Sequence, residues 1–338
     1  MEVKSEKLKV KRNSTTLCTD MKKIPIIAVV GPTASGKTEV GIRLAQAFDG
    51  EVICVDSRTV YRGMNIGTAK IQGKQIPETE FLTIHSLFAE KPIVVDGVAH
   101  WGVDLVDTDE AFTVADFKEY AEKKISDIVG RGKLPILVGG TGLYFRALLD
   151  GLTLTDVEPD VALRNELDAM STEALAEMLG ALDPDAASTI DVDNRRRLVR
   201  AIEIVRTTGE PLAARQQIHD VPYDVLYVGM DVERDELYAR IDERVAAMIG
   251  GGLIDEARSL YEKYGSTSQA MSGIGYRQLA AFFENKLPLR DAVERIQFDT
   301  RHYAKRQLTW FKANPRVHWV TNVKDAIATV RKFISVHP

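Results

Sequence analysis

The sequence predicts an α/β protein: a P-loop NTPase-like parallel sheet core, a helical insertion domain and a helical C-terminal region. Three observations predict it. Residues 31–38 follow the G-x-x-x-x-G-K-[ST] spacing of a phosphate loop. An apolar run at 24–30 leads into the loop and an amphipathic stretch at 38–48 leads out of it, which is the strand–loop–helix context the motif requires. Between residues 160 and 209 strand-like runs disappear and helical periods replace them.

The loop itself is Gly31, Pro32, Thr33, Ala34, Ser35, Gly36, Lys37 and Thr38. Its glycines let the backbone curl so that successive N–H groups face phosphate oxygens. The helix start behind it adds partial positive charge, and Lys37 adds a full one. The Thr38 hydroxyl can bind a Mg²⁺ that bridges two phosphates. The motif therefore says that a diphosphate or triphosphate is held here, without saying what becomes of it.

Bulk properties bound the rest. A length of 338 residues suggests two domains, or one core with an insertion. An apolar share of 45% supplies a core. No run of 18 apolar residues exists, so no spanning helix and no membrane partner are expected. The two cysteines, Cys18 and Cys54, make neither a disulfide framework nor a zinc module, which suits a reducing cytoplasm. With a net charge of −5, any nucleic-acid surface must be local. Residues 1–23 are lysine-rich and aperiodic, and a disordered extension is expected there, with Met21 a candidate functional start.

In chain order, 24–30 reads as a buried parallel strand and 38–48 as its crossover helix. A second strand at 51–55 ends at Asp56-Ser57. Ligands of parallel α/β sheets sit beyond the C-terminal strand ends, so Asp56 is expected to face the crevice. It is a candidate Mg²⁺ contact or general base; Asp-Ser is equally good turn-capping chemistry. Residues 61–70 read as a loop over the crevice, and 77–98 show no strong period. A third strand is expected at 100–106, with His100 a packing histidine by default. Thr113 and Asp116 form a capping-box pattern opening a helix to 129. A strand at 134–138 ends in Gly139-Gly140-Thr141-Gly142 before a helix at 143–149, a second glycine-rich turn that serves either ligand approach or tight packing.

Helices are expected at 162–170, 172–179, 183–190 and 193–207, giving an insertion over 153–212 within a core of 24–152 and 213–338. The last of these helices sets Leu198, Ile202 and Val205 on one face, with Arg195, Arg196, Arg200 and Arg206 broadly opposite. Such a face binds phosphates or pairs with local acids in solvent. Residues 225–232 read as the last strand of the sheet. Helices follow at 234–249, 253–263, 275–284 and 291–312, the last with a basic stripe near Tyr303, Trp310 and Phe311. A short strand at 317–320 and a helix at 324–334 close the chain.

Three functions compete on these residues: a small-molecule kinase, a nucleotide-gated RNA-binding module, and a transferase whose phosphate loop holds a diphosphate leaving group while RNA supplies the nucleophile. The third uses most features at once. A kinase needs no arginine face, and a binding module needs no acid in the crevice.

The chain resembles the tRNA dimethylallyltransferase (tRNA isopentenyltransferase) family. The resemblance rests on GPTASGKT at 31–38, VDSRTVYRGMNIGTAK at 55–70, PILVGGTGLYFRALLDGL at 135–152, NRRRLVRAIEIVRTTGEPL at 194–212, GGLIDEARSL at 251–260, SGIGYRQL at 272–279 and AKRQLTWFK at 304–312. It implies transfer of the dimethylallyl group from dimethylallyl diphosphate to N6 of adenosine 37, beside the tRNA anticodon, releasing diphosphate with Mg²⁺ assistance. By the same resemblance Asp56 is the general base, the phosphate loop holds the diphosphate, and Arg258 lies on the diphosphate side. It further implies tRNA contacts from Asp56, Ser57, Arg58, Thr59, Thr141, Arg164, Arg196, Arg197, Leu198, Val199, Arg200, Ser272, Gly273, Ile274, Gly275, Tyr276 and Arg277. The family often has P-H-H-L-I-D where this chain has Ala99-His100-Trp101-Gly102-Val103-Asp104, and glutamine where Thr59 stands. The zinc finger of eukaryotic forms has no counterpart after Cys54, which favours a bacterial-type cytoplasmic enzyme. The expected partners are the anticodon stem-loop of tRNA and dimethylallyl diphosphate, and a monomer is expected.

Overall fold

The computed structural model describes residues 23–75, 91–153, 157–215 and 218–337. The lysine-rich extension read at 1–23 lies outside the described residues except for Lys23. So does most of the aperiodic stretch at 77–98.

The elements start with β1 (Ile24–Val30), α1 (Lys37–Phe48), β2 (Gly50–Val55), β3 (Lys74–Gln75), β4 (Ile93–Val95) and β5 (Val98–Trp101). Then come α2 (Val114–Gly130), β6 (Leu134–Gly139) and α3 (Gly142–Leu149). The helices α4 (Val161–Asp168), α5 (Thr172–Leu182), α6 (Pro184–Thr189), α7 (Arg195–Thr208) and α8 (Leu212–Arg215) follow. The chain ends with β7 (Tyr223–Met230), α9 (Arg234–Gly250), α10 (Leu253–Tyr264), α11 (Tyr276–Phe283), α12 (Leu289–Lys312), β8 (Val317–Val320) and α13 (Val323–Ile334).

Among the described residues the strands form one sheet of order β3-β4-β5-β2-β6-β1-β7-β8. From β5 to β8 every pairing is parallel. β1 is central, and Ile26–Val30 are fully buried, as a parallel strand covered on both faces requires. Its side chains alternate: Ile26, Ala28 and Val30 join the core under α2 and α3, whereas Ile27 and Val29 join the core under α1 and α13. The capping box read at Thr113 is formed: Asp116 N donates to Thr113 Oγ1 at 3.2 Å, and Thr113 N donates to Asp116 Oδ2 at 2.7 Å.

Three expectations change. The strand at 223–230 does not end the sheet, because β8 adds outside it in parallel register, Tyr227 to Met230 against Val317 to Val320. The third strand lies at Val98–Trp101 rather than 100–106, since the chain turns away at Gly102 with φ +81°. The sheet is also not wholly parallel: β3, β4 and β5 make an antiparallel edge. Asp96 and Gly97, both at positive φ (+50° and +78°), turn β4 into β5. That Asp-Gly between valines is a type I′ hairpin signal present in the sequence.

The helices between 161 and 208 bury their own cluster, built on Leu163, Leu167, Leu175, Leu179, Leu198 and Ile202. This cluster is separate from the two that cover the sheet.

Candidate functional site

The strand order sets the site. β2, β6 and β1 are neighbours, so the turns after them stand side by side at one sheet edge: Asp56 after β2, Gly140-Thr141 after β6, the phosphate loop after β1. Gly36 takes φ +86° to let the loop enter α1, a conformation that disfavours any other residue type.

Within the loop the Ser35 hydroxyl is buried and has no hydrogen-bond partner among the described residues. The Lys37 ammonium donates to the Pro32 carbonyl. Arg244, from α9, reaches Thr33 Oγ1 at 3.5 Å. Burial first, and the Arg244 charge second, pull the Lys37 pKa down to about 7; the Asp56 carboxylate opposes them more weakly. Two cations and an unpartnered hydroxyl thus converge where the sequence places a phosphate group. Gln307, buried on α12, takes the Thr33 N–H on its Oε1 at 2.8 Å and donates from Nε2 to the Gly140 carbonyl at 2.9 Å, fastening one glycine-rich turn to the other.

Asp56 uses one oxygen structurally. Its Oδ1 accepts from the Arg58 and Thr59 N–H groups at 2.7 and 3.3 Å. No hydrogen bond reaches Oδ2 among the described residues. Burial raises the Asp56 pKa against the pull of the two turn N–H groups, Arg58 and Lys37. The capping role and the crevice-facing role therefore coexist in one side chain. Close by, burial and then the negative charge of Asp56 push the Tyr303 phenol up to about 12, so it stays protonated.

Two cavities meet at this carboxylate. One, of ≈ 460 Å³, runs from the phosphate loop and Arg244 along apolar walls including Val52, Ile71, Val103 and Val138. The other, of ≈ 290 Å³, is lined by Arg58, Arg196, Arg306 and the segment from Ser272 to Arg277. They share Thr33, Asp56, Thr68, Ala69, Arg244 and Tyr303.

The remaining sequence candidates divide. Ser57 N donates to Thr141 Oγ1 at 3.3 Å. Thr59 lines the first cavity, its hydroxyl buried and without a partner among the described residues. Arg58 faces the second cavity but is tied to the Gln269 carbonyl at 2.6 Å and Ser272 Oγ at 3.1 Å. Gly273, Ile274, Gly275, Tyr276 and Arg277 line that cavity, with Arg277 held by Asp299 at 2.7 Å.

On α7 the arginines have different fates. Arg200, together with Arg164 from α4, clamps the fully buried Glu203 at 2.6 and 2.8 Å. Arg196 opens into the second cavity and Arg197 into a groove beyond it. Leu198 and Val199 are buried in the insertion core, so their side chains are not a surface for RNA.

Arg258 stands apart from the phosphate loop in this structure. It is exposed on α10 with its guanidinium 4.4 Å from the Phe283 ring, and it lines neither cavity. In the same segment it is Glu256 that serves the site. Its carboxylate accepts from the N–H groups of Asn65, Ile66 and Gly67 at 2.9–3.1 Å and from the Tyr276 hydroxyl at 2.7 Å, holding the 61–70 loop over the crevice. The crevice cation is Arg244, which sequence reasoning missed because it is one arginine among many on an amphipathic helix. Gln307 and Tyr303 were findable: with Arg306 and Trp310 they stand at i, i+3, i+4 and i+7.

Among the described residues no group of three or more His, Cys, Asp or Glu could hold a metal. The oxygen donors lining the crevice include the Thr38 hydroxyl and the Asp56 carboxylate, while the Glu39 carboxylate is taken up by Arg43 at 2.7 Å. That sparse set suits a hard cation which keeps waters and takes substrate phosphate oxygens.

A family model described as IPP transferase matches residues 59–314. The tRNA dimethylallyltransferase of Roseiflexus sp. (strain RS-1) is 42% identical over 299 residues, covering 87% of this chain and 92% of that protein. The Bacillus subtilis (strain 168) tRNA dimethylallyltransferase is 38% identical over 303 residues, covering 88% and 90%. Among solved structures, the tRNA isopentenylpyrophosphate transferase of Bacillus halodurans matches with a TM-score of 0.65 at 38% identity, over 93% of this chain and 96% of that one. A eukaryotic dimethylallyltransferase crystallised acting on tRNA matches with a TM-score of 0.72 at 28% identity, over 93% and 80%.

Proposed function

The chain belongs to the tRNA dimethylallyltransferase (IPP transferase) family, and from that premise we propose that it moves the dimethylallyl group of dimethylallyl diphosphate onto N6 of adenosine 37 in tRNA, releasing diphosphate. One observation supports this reading above others: a cation-lined, partly apolar cavity and a basic second cavity meet at a single carboxylate.

The diphosphate lies in the phosphate loop, on its N–H groups, Ser35, Lys37, Thr38 and Arg244. The five-carbon tail lies along the apolar wall toward Asp56. The adenine enters from the second cavity, leaving its stack at a cost of about a few kcal/mol. The allylic C–O bond breaks with its electron pair passing to the diphosphate, whose growing charge Lys37 and Arg244 stabilise. The N6 lone pair forms the new C–N bond, and the N6 proton passes to Asp56 Oδ2. The amine is a poor nucleophile because its lone pair is delocalised into the ring, so proton removal as the bond forms is where a base helps. The Thr38 hydroxyl would hold a Mg²⁺ here, and the bound ion would supply Lewis-acid stabilisation of the leaving group. Ser57, Arg58, Thr141, Arg196, Arg197 and the 272–277 segment form the RNA side of the crevice. The protein acts as a cytoplasmic monomer on the anticodon stem-loop.

Mass spectrometry of tRNA nucleosides after incubation with dimethylallyl diphosphate and Mg²⁺ tests this. A prenylated adenosine is expected. No label on RNA from a labelled donor, with phosphate instead passed from ATP to a metabolite, would return the kinase reading.

A further inference from the structure

Thr59, Ile71 and Val103 line the first cavity, and their neighbours in the chain converge on one buried ammonium. Lys70 precedes Ile71, Asp104 follows Val103, and Tyr61 stands two residues after Thr59. The Lys70 side chain is only 2% exposed. Its Nζ donates to the Tyr61 carbonyl at 2.7 Å and to Asp104 Oδ1 at 2.5 Å. Asp104 N donates to the Thr59 carbonyl at 3.1 Å, and Leu105 N to the Val60 carbonyl at 2.7 Å. Three stretches of cavity wall are thereby tied at a single point.

Burying an ammonium is costly, and a well-packed methionine of similar volume would avoid the cost. Burial indeed pulls the Lys70 pKa down, with Asp104 opposing it. What the charged pair adds over an apolar filler is a fixed distance between two wall segments. The backbone beside it is constrained as well: Ala69 and Asp104 sit at φ +50° and +56°, which persists only where the surroundings over-determine it. Val103 is the residue this arrangement holds. It lines the first cavity and also an outer groove of ≈ 960 Å³, whose walls include Leu105, Phe112 and Tyr120. It is therefore a partition one residue thick between the space for the donor tail and a second, partly apolar space.

We propose that the Lys70–Asp104 bridge sets the length of allylic diphosphate this protein accepts: it keeps Val103 and Ile71 at a fixed separation, so that the pocket admits a five-carbon tail and rejects a ten-carbon one. Lys70 is thus a positioning residue for donor specificity. This rests on the reading of the first cavity as the donor site.

The test gives the full chain, Mg²⁺ and an anticodon stem-loop RNA hairpin an equimolar mixture of the five-carbon and ten-carbon allylic diphosphates, and mass spectrometry reads the ratio of the two products. Both products come from the same enzyme molecules, so the ratio does not depend on how much of a variant is folded. The wild type should favour the five-carbon donor by at least about a hundredfold. Lys70→Met should cut that preference at least about tenfold. Inhibition by pyrophosphate should be unchanged, because the phosphate loop lies outside the bridge; a general loss of structure would weaken it. Val103→Ala thins the partition with the bridge in place and should shift the ratio the same way. If Lys70→Met proves unfolded on thermal melting, Val103→Ala decides. An unchanged ratio in the deciding variant, or a wild type that takes both donors alike, overturns the length gauge and leaves the transferase reading standing. A wild type that places neither group on the hairpin overturns both.

Discussion

Asp56 divides its work between its two oxygens. Asparagine at this position keeps an oxygen for the Arg58 and Thr59 N–H groups, so the turn survives, yet it cannot take up the N6 proton. Asp56→Asn should lower single-turnover transfer about 10²–10⁴-fold with hairpin affinity intact. Turnover near the wild-type rate would move the proton to another acceptor. Lys37 carries the second residue-scale prediction. With its pKa near 7 in the free protein, it is charged below that pH and increasingly neutral above it. A bound diphosphate favours the charged form, so binding above pH 7 must take up a proton. Donor affinity should then fall with rising pH by up to about tenfold per unit above pH 7 and level off below it. Calorimetry in buffers of different ionisation enthalpy reads the uptake directly; none at pH 8 would mean that Lys37 is already charged in the free enzyme.

At the scale of elements, α7 shows how one helix can be both scaffold and surface. Glu203 faces the interior and accepts from Arg164, Arg200 and the Asp160 N–H at 2.6–2.8 Å. Burial alone would raise its pKa; the two guanidinium groups and the N–H outweigh that and hold it below the ordinary value. The clamp ties α4 to α7. Removing one partner of a buried pair costs about 3–5 kcal/mol. The guanidinium groups here are 38% and 34% exposed, so water takes up part of that loss. Glu203→Ala should therefore destabilise the protein by about 2–3 kcal/mol in denaturant melts. A change under about 0.5 kcal/mol would mean that the clamp is ornamental. Arg196 and Arg197, one and two residues along from Arg195, escape this network and face the RNA-side cavities.

Across the whole molecule, three chain segments far apart in sequence are joined by one amide. Gln307 links Thr33, 274 residues away, to Gly140, 167 residues away. Gly140 has no Cβ to obstruct the amide, which would otherwise meet it at 2.0 Å. Gln307→Met keeps the side-chain volume and leaves the Thr33 N–H and Gly140 carbonyl without their partner, at a cost of about 1–3 kcal/mol. Donor KM should rise about tenfold, with hairpin affinity held. An unchanged donor KM would show that the phosphate loop keeps its shape unaided.

Much of this was legible along the chain because the signals are local. The G-x-x-x-x-G-K-[ST] spacing, the capping box at Thr113, and the helical periods of the insertion follow from backbone chemistry within a few residues, and the structure carries each of them. Asp56 could be placed at a strand end for the same reason. The Asp96-Gly97 hairpin was equally local, and was passed over. The tertiary structure alone decided which cations meet. Arg258 turns to Phe283 while Arg244 reaches Thr33, and Arg200 is drawn inward by Glu203 while Arg196 is not. A charge on a helix carries no mark of its partner in its own neighbourhood; that is fixed only when the order β2-β6-β1 and the packing of α9, α10 and α12 bring distant segments to one crevice.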